Sequence, residues 1–178
     1  MTSRRDEIAV LSRGLDQAHG LLSETTDQHL VAQTPCEEWK GADLVDHLVA
    51  SPGRFAQMVR GEEVDWTAET PHVEDDPAGV FRSRADELMQ AWEDAGDAEV
   101  PMGPDWQTAE IAVHTFDLAR TLGRPTTDLD REVAERGLAL MQANLTDDQR
   151  GDAFAAEKQA PEGADGYQRI AAYAGREV

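Results

Sequence analysis

Cysteine is nearly missing from this sequence: Cys36 stands alone among 178 residues. That excludes an internal disulfide and any metal site built from several thiolates, so a bound metal would have to rely on His, Asp and Glu. Long apolar runs are missing too, and none approaches the roughly 20 residues of a membrane-spanning helix. Positive charge is scarce, with 16 Lys and Arg against 36 Asp and Glu and a net charge of −20. A field of that sign repels nucleic-acid phosphates and anionic membrane surfaces, and no basic patch offsets it, so neither is an expected partner. No signal-peptide apolar core leads the chain, and the expected location is the cytoplasm. Strand-like alternation, internal repeats and low-complexity tracts are absent as well. The 40% hydrophobic and 29% charged composition fits a folded chain, and residues 1–178 are read as one domain with a sizeable core.

What remains is helical periodicity. Ile8, Leu11, Leu15, Ala18 and Leu22 recur at spacings of three and four and predict a first helix over 5–25. Residues 27–33 extend it or form a short turn, and His19 and His29 are expected in solvent. The stretch 34–39 breaks the pattern at Pro35 and carries Trp39, expected to plug one end of the core. A second helix is predicted over 41–60, with Leu44, His47, Leu48, Phe55 and Met58 on one face and a kink or split at Pro52. Residues 61–75 are long for a bundle connection and read as a surface crossover holding Trp66 and an exposed His72. Asp76 and Pro77 start a third helix with Phe81, Ala85, Leu88 and Trp92 on its inner stripe, ended by Gly96. A fourth helix, capped by Asp105 or Thr108, stops near Gly123 and Pro125. Asp128 or Asp130 caps a fifth, bearing Leu129, Val133, Leu140 and Met141. Residues 146–162 are irregular around Phe154, and a short final helix runs over about 166–174. Four long amphipathic helices with added C-terminal helices make the fold an all-α four-helix bundle.

Two of these helix faces carry polar interruptions. His47 lies in the middle of the second stripe. Glu110 and His114 are four residues apart on the fourth helix and stack on one side of it. A carboxylate and imidazole beside aliphatic residues have two readings. They are an edge carboxylate with a satisfied core histidine, or they are ligands. If the second and fourth helices face each other, His47, Glu110 and His114 converge as two imidazoles and one carboxylate, an open three-ligand set for a divalent transition metal. Zn²⁺ suits the set best, with Ni, Fe and Mn also compatible. Asp43, one turn before His47, is a candidate to orient its ring. Asp117 is either a partner of the same kind or an ion-pair partner of Arg120. Cys36 reads as a small apolar filler, because Glu37 and Glu38 oppose formation of its thiolate.

The segments Thr34-Pro35-Cys36-Glu37-Glu38-Trp39, Asp43-Leu44-Val45-Asp46-His47-Leu48 and Glu110-Ile111-Ala112-Val113-His114-Thr115-Phe116-Asp117-Leu118-Ala119-Arg120 resemble the mycothiol-dependent maleylpyruvate isomerase N-terminal domain family, within the wider DinB/YfiT-like metalloenzymes. Phe154 and the stretch 167–176 resemble the C-terminal pattern of its short single-domain members, so the likeness spans about residues 5–176. It implies an up-down-down-up bundle and His47, Glu110 and His114 as metal ligands. It further implies a low-molecular-weight thiol, mycothiol in actinobacteria, as cosubstrate. The sequence departs from the pattern at Pro52 and at Phe116, where tryptophan is usual. It also lacks a counterpart of the separate C-terminal domain that helps the true isomerase bind its substrate.

The resulting expectation is a metal-dependent thiol transferase or isomerase acting on a small electrophile, as a monomer or homodimer. Trp39, Trp66 and Trp106 would lie at the open end of its bundle. A non-catalytic metal-binding module, sensor or scaffold, is the alternative, followed by a purely structural helical domain. Cys36→Ala is expected to leave metal binding unchanged and to cost about 1 kcal/mol of stability, as a small truncation does; metal content and a urea melt of the variant check both.

Overall fold

A computed structural model describes residues 3–146, 150 and 154–178. Helices α1 (Arg4–Leu22), α2 (Asp27–Leu30), α3 (Gly41–Val59), α4 (Pro77–Ala95), α5 (Pro104–Thr121), α6 (Arg131–Asn144) and α7 (Gly166–Tyr173) follow in order. Among the described residues there is no strand, only an isolated bridge between Gln33 and Lys40. The chain is therefore all-α, consistent with a DinB-like bundle. No described helix is long and apolar enough to cross a membrane.

The long helices α1, α3, α4 and α5 form the bundle, and side-chain contacts give their directions. Glu7 lies beside Gly103 and Gly14 beside Ile111, so α1 and α5 run parallel. Arg4 donates to the carbonyls of Gly96 and Ala98 past the end of α4, while Asp16 pairs with Arg82 near its start; α4 therefore opposes α1. His47 and Ser51 both meet Glu110, and His47 also meets His114. That order makes α3 antiparallel to α5. The bundle is up-down-down-up, as the resemblance implies. Parallel α3 and α4 are neighbours, so their connection must return along a helix about 28 Å long. Asp46, in the second turn of α3, accepts from the Val73 amide and bonds His72. The crossover is thus fastened where the return ends.

Local chemistry sets the helix boundaries. Ser3 and Asp6 form a capping box on α1. The helix stops at Leu22 rather than 25, where the Ser23 hydroxyl bonds the His19 carbonyl. Asp76 caps α4 from a left-handed backbone at φ 44°. Helix α5 begins earlier than expected: Gly103 is its cap and Pro104 its first residue, while the Thr108 hydroxyl bonds back to the Pro104 carbonyl inside the helix. Neither Asp105 nor Thr108 caps it. Asp130, not Asp128, caps α6. Helix α3 runs unbroken through Pro52, so the expected split does not occur. Arg84 of α4 donates to the Val49 carbonyl at 2.9 Å, next to the Leu48 carbonyl whose helical donor Pro52 removes.

Two apolar clusters fill the interior. Leu11, Leu44, Leu48, Phe81, Leu88 and Trp92 anchor the one among the bundle helices. Phe116, Val133, Met141, Tyr167 and Ile170 anchor the other, which fastens α6 and α7 to α5. Phe154 packs on this second cluster; the rest of the irregular stretch expected over 146–162 lies partly outside the described residues.

Gly41 begins α3 against α2. A Cβ there would stand 1.9 Å from the His29 carbonyl oxygen, whereas a Cβ at Gly20 would meet nothing within 4 Å. Gly41→Ala is expected to lose ~1–3 kcal/mol by overpacking. Gly20→Ala, in an exposed turn of α1, should gain ~0.5–1 kcal/mol from helix propensity. Urea midpoints at unchanged slope check both.

Candidate metal centre

Helices α3 and α5 bring three potential metal-ligating side chains together. His47 Nε2 lies 2.7 Å from Glu110 Oε1, and His114 Nε2 lies 3.9 Å from the same oxygen. Donor atoms of all three residues fall within 4.8 Å of one another. The imidazole centroids are 4.5 Å apart. The set remains reachable, with 27%, 23% and 12% of the His47, Glu110 and His114 side chains exposed.

Two of the donors have a further partner. Ser51, one turn after His47, donates its hydroxyl to Glu110 Oε2 at 2.9 Å. His114 Nδ1 bonds Asp117 Oδ2 at 3.2 Å. This bond occupies one ring nitrogen and aims Nε2 at Glu110, the arrangement found behind many metal-bound histidines. Asp117 is fully buried and also accepts from Arg176 Nε and Nη2, at 3.2 and 3.1 Å. Arg176 lies beyond α7, so the end of the chain holds the aspartate that holds the imidazole.

Electrostatics follow this pattern. Burial pushes the Glu110 carboxyl up, but the hydrogen bond and charge of His47, the charge of His114 and the Ser51 hydroxyl outweigh it and hold it below its usual range. Burial acts likewise on Asp117, and His114 and Arg176 again win. The Cys36 thiol is pushed up, chiefly by burial, with Arg176 opposing.

Trp39 covers the centre. Its ring lies 4.7 Å from the His47 imidazole and stacks on His114 at 5.4 Å. It therefore caps the polar cluster as well as the core. The Gln33 amide and the Thr34 hydroxyl both donate to its carbonyl and fix its loop. Two recesses adjoin the donors. On the His47 side the walls include Trp39, Asp43, Asp46 and Glu69. On the Glu110 and His114 side lies a cleft of about 190 Å³ walled by Phe55, Met102, Trp106, Val113, Met141 and Phe154.

The model of the mycothiol maleylpyruvate isomerase N-terminal domain matches residues 11–119, which include α3, most of α5 and all three donors. The chain belongs to that family. Two curated proteins of Mycobacterium tuberculosis are similar to this family member over nearly their whole length: Uncharacterized protein MT0763 (strain CDC 1551 / Oshkosh) and Uncharacterized protein Rv0738 (strain ATCC 25618 / H37Rv). Each is 29% identical over 189 residues, covering 97% of this chain and 99% of the relative. No solved structure matches the chain significantly.

Like its sequence pattern, the family member's structure brings His47, Glu110 and His114 together. Other expectations are revised. Asp43 accepts the Lys40 amide at the start of α3 and so serves the helix end rather than His47. Asp117 pairs with His114 and Arg176, not with Arg120, which is exposed. His72 is exposed as expected but is tied to Asp46. His19 and His29 are partly covered rather than fully in solvent, and His29 Nδ1 accepts the Thr26 amide. Trp66 sits on Phe55 with centroids 5.2 Å apart, and Trp106 lines the apolar cleft. Ser51 and Arg176 are additions to the site. Ser51 was visible at i+4 from His47, but nothing in the spacing of Arg176 ties it to α5.

Arg176→Ala strips the partner from a buried carboxylate and is expected to cost ~3–5 kcal/mol at neutral pH. In the parent protein the lowered Asp117 pKa contributes stability above the usual carboxylate range, and this is lost as pH falls through the lowered value. The variant should protonate Asp117 at higher pH, so its deficit should shrink on acidification. Urea unfolding at pH 7 and near pH 4 measures the difference.

Proposed function

We propose that this protein is a metal-dependent enzyme of the cytoplasm. In this reading it transfers a low-molecular-weight thiol of the mycothiol type to a small electrophile, or isomerises the electrophile through reversible thiol addition. One observation carries the proposal: two imidazole nitrogens and a carboxylate oxygen converge within 4.8 Å on facing helices, with Asp117 occupying the second nitrogen of one imidazole. That donor set fits a divalent transition ion with positions left for other ligands, and Zn²⁺ suits it best. Membership in the mycothiol maleylpyruvate isomerase N-terminal domain family supports both the ion and the thiol.

His47, Glu110 and His114 would hold the ion, and Glu110 would offset part of its charge. A bound divalent ion stabilises a thiolate over a thiol at neutral pH. The chain's residues arrange the remainder. Asp117 and Arg176 fix the His114 ring, and Ser51 holds the distal oxygen of Glu110. The Trp39 indole covers the two imidazoles and limits water around them. In transfer, the thiol sulfur forms a bond to the electrophilic carbon, the leaving group departs with its bonding electrons, and the thiol proton passes to solvent. In isomerisation the sulfur adds and later leaves, so thiol and proton are both restored.

The proposal takes residues 1–178 as one unit and includes no nucleic-acid or membrane partner, in keeping with the net charge of −20. Purified protein is expected to bind about one divalent ion per chain, as one three-ligand site allows. His47→Ala, Glu110→Ala and His114→Ala should weaken binding strongly; His19→Ala and His72→Ala should not. In a cobalt-substituted sample, mycothiol should add a sulfur-to-metal absorption band. Full affinity in all three ligand variants would remove the site. Intact metal binding without a band or thiol consumption would leave a binding module in place of the transferase.

A further inference from the structure

The cleft beside Glu110 and His114 differs in chemistry from the rest of the surface. The protein carries a net charge of −20, yet this cleft is walled by Phe55, Met102, Trp106, Val113, Met141 and Phe154, and Glu110 and His114 are the only ionisable side chains on its walls among the described residues. Among the described residues no lysine or arginine lines it. A carboxylate seated among these apolar walls would lose hydration and find no counter-cation in them among the described residues, since an ion held by Glu110 and His114 would stand only at the mouth of the cleft, and the overall field is negative, each an unfavourable term. The recess on the His47 side is no kinder to an anion, since Asp43, Asp46 and Glu69 line it. The apolar cleft measures about 190 Å³, while an apolar cavity of about 150 Å³ holds a benzene molecule. Space and polarity together describe one ring or a branched chain of similar bulk.

We propose that this cleft seats the hydrocarbon body of an uncharged electrophile, so that the enzyme acts on a neutral, apolar substrate and rejects carboxylate-bearing ones. The inference rests on the transferase reading for its electrophile. Trp106 supplies a flat wall for a ring, and Val113 and Met141 close the inner side. The reactive carbon then lies at the mouth of the cleft nearest Glu110 and His114, and the apolar body points away from the donors. A second reactant that needs hydration has the more polar recess beside Trp39 and His47, on the other side of the donor set. The substrate preference is thus written in the walls of the cleft.

Binding can be read without turnover. The probes are 4-fluorotoluene and 4-fluorobenzoate, which share a ring and differ by one charge, titrated by fluorine nuclear magnetic resonance into the metal-free protein, where no ion can ligate the carboxylate. Fluorotoluene is expected to bind and to broaden, with fluorobenzoate at least about tenfold weaker, the order expected for desolvating an unpaired carboxylate. Met102→Arg, at a partly buried wall position, should narrow or invert that preference while the helical circular dichroism stays unchanged. Trp106→Ala should weaken fluorotoluene and provides a second, independent lesion if the arginine variant fails to fold. Equal or tighter fluorobenzoate binding would overturn the proposal, as would fluorotoluene binding untouched by both variants. Failure of the transferase reading looks different: fluorotoluene would bind with the expected preference while mycothiol gave no cobalt band and no consumption. In the converse case, a thiol band with fluorotoluene excluded, the cleft assignment alone would fall.

Discussion

Glu110 is the constraint around which the bundle closes. It projects from α5 into the interface with α3, where desolvation of an unpaired carboxylate would be costly. Two α3 side chains one turn apart answer it, His47 at Oε1 and Ser51 at Oε2. That bifurcated fit exists only if α3 runs against α5 in one register. A shift of a single residue would rotate either partner by about 100° around the helix and break both bonds. The carboxylate therefore acts as a register pin as well as a candidate ligand. Apolar packing alone specifies such a register less sharply, since hydrophobic cores accept many arrangements of similar volume.

The same logic extends outward to the end of the chain. His114 is oriented by Asp117, and Asp117 is fully buried, so it too requires compensation. Arg176 provides it from beyond α7, and one apolar contact and one turn keep that arginine in place: α7 packs through Ile170 on the second cluster, and Gly175 turns the backbone at φ 88° after the helix. Helices α6 and α7 are thus part of the centre's support even though they contribute no donor to it. In a protein with 36 acidic residues, the few arginines are placed selectively. Arg176 neutralises a buried carboxylate, Arg84 satisfies a carbonyl at the proline turn of α3, and Arg4 ties α1 to the end of α4.

Much of this was legible in the sequence because it is periodic. The stripes ending in Leu22, Met58 and Trp92, with the Glu110 and His114 stack, define four helices, and the unusual length of residues 61–75 signals a crossover that only parallel neighbours require. His47, Glu110 and His114 stood out because each interrupts an apolar stripe. Boundaries were less legible. Residues Asp105 and Thr108 look like caps, but Pro104 is better suited to a first helical position than to the interior of a loop. Asp43 was read as a partner for His47 from its spacing of four, yet the orphan amides at a helix start compete for the same carboxylate and lie closer. Arg176 was invisible for a different reason. Its contact spans 59 residues, and no local pattern encodes a pairing of that range. The cleft was likewise hidden, because Phe55, Trp106, Met141 and Phe154 come from separate stretches, each of which reads as ordinary core.

The arrangement of donors at a wall between two unlike recesses carries the strongest functional logic. A single buried polar cluster serving only stability would be better enclosed, since every exposed face lets water weaken its hydrogen bonds. Here the opposite is built. Exposure persists at 27% for His47 and 23% for Glu110, while the supporting groups behind them, Asp117 and Arg176, are sealed. The rigid part of the network is dry and the donor part is open, one side to an acidic recess and the other to an apolar cleft. In the proposed thiol transfer, support behind and access in front would suit the positioning of two different reactants at one set of atoms, because orientation yields rate only when the holding groups do not themselves move. Trp39 fits that division. It stacks on His114 and tilts over His47 from a loop pinned by Gln33 and Thr34, covering the centre without filling either recess. The unlike chemistry of the two recesses then becomes intelligible as two binding surfaces, polar and apolar, that share one edge.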